Sequence, residues 1–170
     1  ALFQSLATTG DREKYAGRAI DARIDAAMPL GWIGRGEDAV DLLRRTREAI
    51  DRHIADFGRK PENLERLARV EASLAETLGR LADTGTGSYA EALRHADSAI
   101  PVYEDYLAAA SKKDVVRRGL AIALLKRSLL LYSMERDLAA LADLDRAEAI
   151  VRELIARDPR DDGLERLLNS

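Results

Sequence analysis

The chain has 170 residues, 46% apolar and 34% charged with both signs interleaved, a balance that supplies a core and solvated helix faces rather than a disordered tail. A net charge of −3 argues against a general nucleic-acid binder, which needs a basic footprint. The lack of cysteine excludes thiol catalysis, disulfides and cysteine zinc sites.

Ala1-Leu2-Phe3-Gln4 resembles the end of a protease cleavage site, so residues 1–5 read either as an added remnant or as a frayed natural segment. No secretory signal is visible. No apolar run approaches the roughly 20 residues that span a bilayer; the longest, Leu120 to Met134, is broken by Lys126 and Arg127. These features make the expected location cytoplasmic.

Alanine, leucine, arginine and glutamate dominate the rest, and all are strong helix formers. No stretch sustains period-two alternation. Helices are predicted over about 11–28, 37–57, 62–82, 89–110, 114–134 and 138–157, with a short last one over about 162–168. Gly58 suits the left-handed residue that closes a helix, and Pro61 suits the first turn of the next. Thr84-Gly85-Thr86-Gly87 reads as a flexible turn. Ser88 and Glu91 have capping-box spacing, each side chain able to satisfy a free backbone amide. Pro101 falls inside the fourth helix and predicts a kink. Asp114 can cap the fifth helix, and Pro159 stops the sixth.

Such short connections force consecutive helices to pack side by side, as antiparallel hairpins. The stripe of the third helix is Leu64, Leu67/Ala68, Leu74/Ala75, Leu78 and Leu81. That of the fifth is Val116, Leu120/Ala121, Leu124, Ser128, Leu131 and Met134.

One helical phrase recurs three times. It reads GRGEDAVDLLRRTREAI from Gly34, GSYAEALRHADSAIPVY from Gly87 and RDLAALADLDRAEAIV from Arg136. Ala39-Val40, Ala92-Leu93 and Ala140-Leu141 open the copies. Leu43, Ala96 and Leu144 follow, then Thr46, Ala99 and Ala147, then Ile50, Tyr103 and Val151. Ala39 to Ala92 is 53 residues and Ala92 to Ala140 is 48. A period of that size means stacked hairpins. The repeats run roughly over 11–57, 62–110 and 114–157, within one domain over 1–170. Leu164-Glu165-Arg166-Leu167 echoes Leu64-Glu65-Arg66-Leu67, as if a further hairpin begins there; the chain then reads as a fragment of a longer array or as its terminal piece.

The segment GSYAEALRHADSAI resembles the second half of a tetratricopeptide repeat, with Gly87, Tyr89, Ala92-Leu93, Ala96 and Ala99-Ile100 at the family's positions. Ala75, Leu78-Gly79 and Ala82 partly meet the first-helix signature, and Leu30-Gly31 holds the equivalent place before the first copy. Small residues there let paired helices approach closely. The family repeat is about 34 residues, whereas these run to about 50. That length is similar to the long-period tetratricopeptide-like arrays of multidomain bacterial signalling proteins. Arg157-Asp158-Pro159 is similar to the repeat tails of bacterial serine/threonine kinases, although no kinase motif is present. The resemblance implies an all-α right-handed superhelix, an α-solenoid, with first helices lining its concave surface.

Little in the chain reads as chemistry. No G-x-S-x-G, H-E-x-x-H or phosphate-loop motif occurs. His53 lies where Tyr106 and Leu154 lie in the other copies, which makes a packed histidine the better reading than a ligand or acid/base. His95 is expected on a solvent face, with no metal-site spacing. Gly34 and Gly36 lack the strand and the Lys-Ser/Thr of a phosphate loop. Asp158, Asp161 and Asp162 read as an N-capping turn rather than a calcium loop. Lys112, Lys113, Arg117 and Arg118 form a small basic cluster, read as a solvated helix start or a contact for an acidic partner. Trp32 is expected to pack between the ends of the first hairpin, the other reading being a partner anchor.

By the resemblance, groove positions counted from Leu78-Gly79 are Arg69, Ser73, Glu76 and Arg80, and the 53-residue shift adds Ile122, Lys126, Leu129 and Ser133. This mixed lining suits a peptide or helical segment with a few ion pairs, while the same residues also read as ordinary solvated positions. The expected function is a non-catalytic protein–protein interaction module of a signalling or regulatory protein, needing no cofactor or metal and binding a protein or peptide partner rather than nucleic acid or membrane. The alternatives are a homo-oligomeric scaffold whose unpaired end stripes stack between copies, and an all-helical enzyme with a site the motifs do not reveal.

Overall fold

The computed structural model describes residues 9–110, 113–161, 163, 164 and 167. The described residues form six helices and no strand: α1 Thr9–Trp32, α2 Gly36–Phe57, α3 Pro61–Asp83, α4 Tyr89–Ala109, α5 Lys113–Ser133 and α6 Asp137–Arg157. Gly163, Leu164 and Leu167 are also helical. The remnant-like residues 1–5, Lys112, Asp162 and most of the short last helix lie outside the described residues.

Each helix packs on the next. In addition α1 meets α3 and α3 meets α5, so the odd-numbered helices share one layer. One core joins Ile20, Ile24 and Ala27 of α1 to Leu43 and Ile50 of α2 and to Val70 and Leu74 of α3. A second joins Ala68 to Ile100 and Tyr103 of α4 and to Leu120 and Leu124 of α5. The predicted stripes of α3 and α5 are buried apart from Leu81 and Met134, which are half-buried.

Local sequence accounts for the breaks. Gly58 has φ 88° and donates its amide to Ile54 O at 2.7 Å, and a side chain there would strain the backbone. Pro61 opens α3. A Cβ on Gly87 would lie 2.6 Å from Ala82 N and 2.8 Å from Leu78 O. Backbone cannot yield as a side chain can, so only glycine fits between α3 and α4.

Several expectations need correction. Helix α1 runs past Pro29 to Trp32 instead of ending near residue 28. The capping box is half-formed: Ser88 Oγ accepts from Glu91 N at 3.4 Å, but the Glu91 carboxylate turns to Arg44 at 2.6 Å. Asp114 lies inside the first turn of α5 and accepts from Arg117 and Arg157. The third copy of the phrase is also unlike the others. Leu43 and Ala96 are buried, yet Leu144 is 40% exposed; Val40 and Leu93 are buried, yet Leu141 is 54% exposed. The phrase is repeated, but among the described residues its third copy is covered only at one end, where Leu164 and Leu167 pack on Val151 and Leu154.

Candidate functional site

Helices α1, α3 and α5 frame a shallow cleft of about 200 Å³, with Arg69, Ser73, Glu76 and Arg80 on one side and Ile122 and Lys126 on the other. Ile24, Ala27, Ala72 and Ala123 supply its apolar floor. An adjoining depression of about 130 Å³ adds Leu129 and Ser133. The eight residues expected on the concave surface thus border one continuous track. Each part is smaller than the roughly 300–1,000 Å³ typical of a small-molecule site. The track admits side chains of an elongated ligand more readily than a whole cofactor.

The charges along it are not equivalent. Arg69 is held by Asp25 at 2.6 Å and by Asp21 at 3.7 Å. Lys126 and Glu76 stand 3.8 Å apart, both 42% exposed, a spacing that contributes little. Arg80 is half-buried and has no carboxylate partner among the described residues. Its guanidinium lies over Gly31, where a Cβ would come within 2.5 Å of Nη2. The absent side chain of Gly31 leaves Arg80 room to lie across the end of the cleft. Tyr103 backs the cleft from α4, its ring against Gly119, and burial pushes its phenol up to about 12.

Asp25 and Met28 of α1 also line the cleft, and neither was anticipated. The signal was present. Leu30-Gly31 and Leu78-Gly79 are 48 residues apart, and subtracting that offset from Ser73, Glu76 and Arg80 lands on Asp25, Met28 and Trp32. Trp32 does not pack between hairpin ends as expected: it is 71% exposed, at the α1 position that Arg80 occupies on α3.

Two buried polar clusters lie behind the track. Glu71, 4% exposed on α3, accepts from Arg47 Nε of α2 and pairs with His95 Nδ1 of α4 at 2.7 Å. Burial pushes the Glu71 carboxyl up, but the hydrogen bonds from His95 and Arg47 outweigh it and hold the group below the usual carboxylate range. His95 is therefore half-buried and committed, not a solvent-face residue. On α5, Arg127 donates to both carboxylate oxygens of Asp143 of α6 at 2.6 Å and to Asp97 of α4 at 3.0 Å. Hydrogen bonding to Asp143 raises the Arg127 guanidinium further, against burial.

His53 is buried, as expected. Its ring lies tilted at 52° to that of Phe57, centroids 4.7 Å apart, and neither ring nitrogen has a protein hydrogen-bond partner. Burial, then the nearby Arg66 charge, lowers its affinity for a proton. Of the basic cluster, Arg117 pairs with Asp114 and Arg118 with Asp161. Asp161 accepts from Gly163 N at 3.0 Å, a capping role. Among the described residues no three His, Cys, Asp or Glu side chains converge as metal ligands, and no helix is long and apolar enough to cross a membrane.

No family model, curated protein or solved structure matches the chain. The packing of adjacent helices is compatible with a helical repeat, and the tetratricopeptide resemblance rests on sequence positions alone.

Proposed function

We propose that this chain is a non-catalytic interaction module, a tetratricopeptide-like superhelix of antiparallel hairpins that holds a peptide or protein segment along the layer of α1, α3 and α5. The observation that carries this reading is Arg80: a half-buried guanidinium beside an apolar-floored cleft, without a carboxylate of its own. A partly desolvated cation gains more from an incoming carboxylate than a fully solvated one does. Exposed Met28, Ile122 and Leu129 around it offer apolar contacts, so the ligand should carry an acidic residue among aliphatic ones.

Selection from a displayed peptide library tests this. Bound peptides should be read out through Trp32, the only tryptophan in the chain, which stands exposed at the end of the same helix face. Enriched peptides should carry Asp or Glu, and Arg80→Glu should weaken them at least about tenfold, the scale of a charge reversal at a contact. A library that enriches nothing, or peptides that bind Arg80→Glu and Leu129→Asp as tightly as the parent, would overturn the reading.

A further inference from the structure

The repeated phrase shows twice how the face of an even-numbered helix is covered. Val40, Leu43 and Arg47 of α2 meet α3, where Val70 and Leu74 pack and Glu71 takes Arg47. The equivalent residues of α4 are Leu93, Ala96 and Ile100; Leu93 clusters with Leu131 of α5, and Ile100 with Leu124. On α6 the same three positions are Leu141, Leu144 and Glu148, all exposed. At the other end, the 48-residue offset maps Leu67, Val70, Glu71 and Leu74 of α3 onto Ala19, Ala22, Arg23 and Ala26 of α1. These four are exposed as well.

The two open faces are complementary in three respects. Large Leu141 and Leu144 oppose small Ala22 and Ala26, as knobs oppose holes. At the position held by Arg47 with Glu71, and then by Ile100 with Leu124, the open ends carry Glu148 and Arg23, an ion pair of reversed sense. The surrounding charges agree: exposed Arg12, Lys14, Arg18 and Arg23 on α1 have no ion-pair partner among the described residues, and neither have Asp137, Asp145 and Glu153 on α6. The charges of opposite sign on these helices are already engaged, Asp25 by Arg69 and Arg146 by Glu104; Glu148 holds Arg152 through Oε1, which leaves Oε2 for Arg23.

We propose that the face of α6 is a docking surface for α1 of a second copy of this chain, a head-to-tail contact that continues the internal packing from one molecule to the next. A heterologous contact of this kind extends into open chains rather than closed pairs. Leu164 and Leu167 cluster with Val151 and Leu154 at the foot of the same track, where the offset places Ala16 and Ala19 of the incoming helix. The contact therefore displaces the turn that carries Leu164 and Leu167.

Sedimentation equilibrium across a wide concentration range tests the proposal. The parent protein should self-associate, and Arg23→Glu or Glu148→Arg alone should weaken association at least about tenfold, because each sets like charges face to face. Both substitutions lie on exposed positions, so far-ultraviolet circular dichroism should be unchanged. Mixing the two variants should restore association, because every contact in the alternating assembly is again between opposite charges. A parent that remains monomeric, association indifferent to both reversals, or a mixture no stronger than its components would overturn it; a monomeric parent would leave the peptide-binding reading untouched.

Discussion

Replacing Glu71 by Gln keeps the side chain's shape and removes its charge. In the folded chain the carboxylate is 6% exposed and holds two partners, Arg47 and His95, that are themselves only 30% and 24% exposed. Removing one member of a buried charge cluster costs about 3–5 kcal/mol, because the remaining charges keep their desolvation cost. The partial exposure of both partners places this substitution at the lower end, about 3 kcal/mol. For a chain of this length each kcal/mol moves the midpoint by about 2–4 °C, so the thermal transition should fall by about 6–12 °C. The loss should depend on pH with a definite sign. The folded carboxyl binds its proton less tightly than the unfolded one; the unfolded state therefore takes up protons first as pH falls. The stabilisation is complete above the unfolded value of about 4.3 and fades below it, so the gap between parent and variant should close in acid. Thermal melts of both proteins followed by circular dichroism across that range provide the measurement. A midpoint within about 2 °C of the parent's at neutral pH, or a gap that persists in acid, would refute the reasoning.

His53→Leu should raise stability by about 1 kcal/mol at neutral pH, since it replaces a buried ring with two unpartnered nitrogens by an apolar side chain. The folded His53 resists protonation, so the parent should lose stability as pH falls below the unfolded value of about 6.5; melts that show the same slope in the variant would exclude His53 as its source. Gly119→Ala should destabilise by about 1–3 kcal/mol although alanine is the better helix former, because the new Cβ would stand 2.7 Å from Tyr103 Cε1 in a ring that is 8% exposed. Urea titration decides it: an unchanged or raised midpoint would mean that Tyr103 can move aside.

Helices and stripes were legible because each carries its own apolar period and its own break, such as Gly58 before Pro61. The limits of α1 were not: its expected end falls at about residue 28, yet the helix runs on through Pro29 to Trp32 and Ile33 N reaches Pro29 O at 3.2 Å. The track was legible on α3 and α5 through their shared offset, and could have been found on α1 by the Leu-Gly pairs. The polar clusters were illegible, since Glu71 is 24 residues from both Arg47 and His95, and nothing local marks which charges will meet. Leu144 reads as buried in the phrase and is exposed because exposure depends on whether another helix lies over it.

The two clusters solve a problem that repetition creates. Helices with nearly interchangeable apolar stripes can exchange slots or slip by a turn at little cost in burial, which leaves several compact arrangements close in energy. Here α3 and α5 each carry one charge, Glu71 buried and Arg127 half-buried, clamped between the helices before and after it, and the signs are reversed. Glu71 of α3 sits between two hydrogen-bonding side chains, Arg47 and His95; Arg127 of α5 sits between anions, Asp97 and Asp143. His95 and Asp143 occupy equivalent positions of the phrase. Setting α3 in the place of α5 would bring Glu71 against two carboxylates and Arg127 against the Arg47 guanidinium, so the mispaired arrangements lose charge pairing even where apolar contact survives. Apolar periodicity and the short connections make consecutive helices stack, and these few charges disfavour slips in how they meet. The same positions, left open as Arg23 and Glu148, are where a further molecule would be read by the same rule.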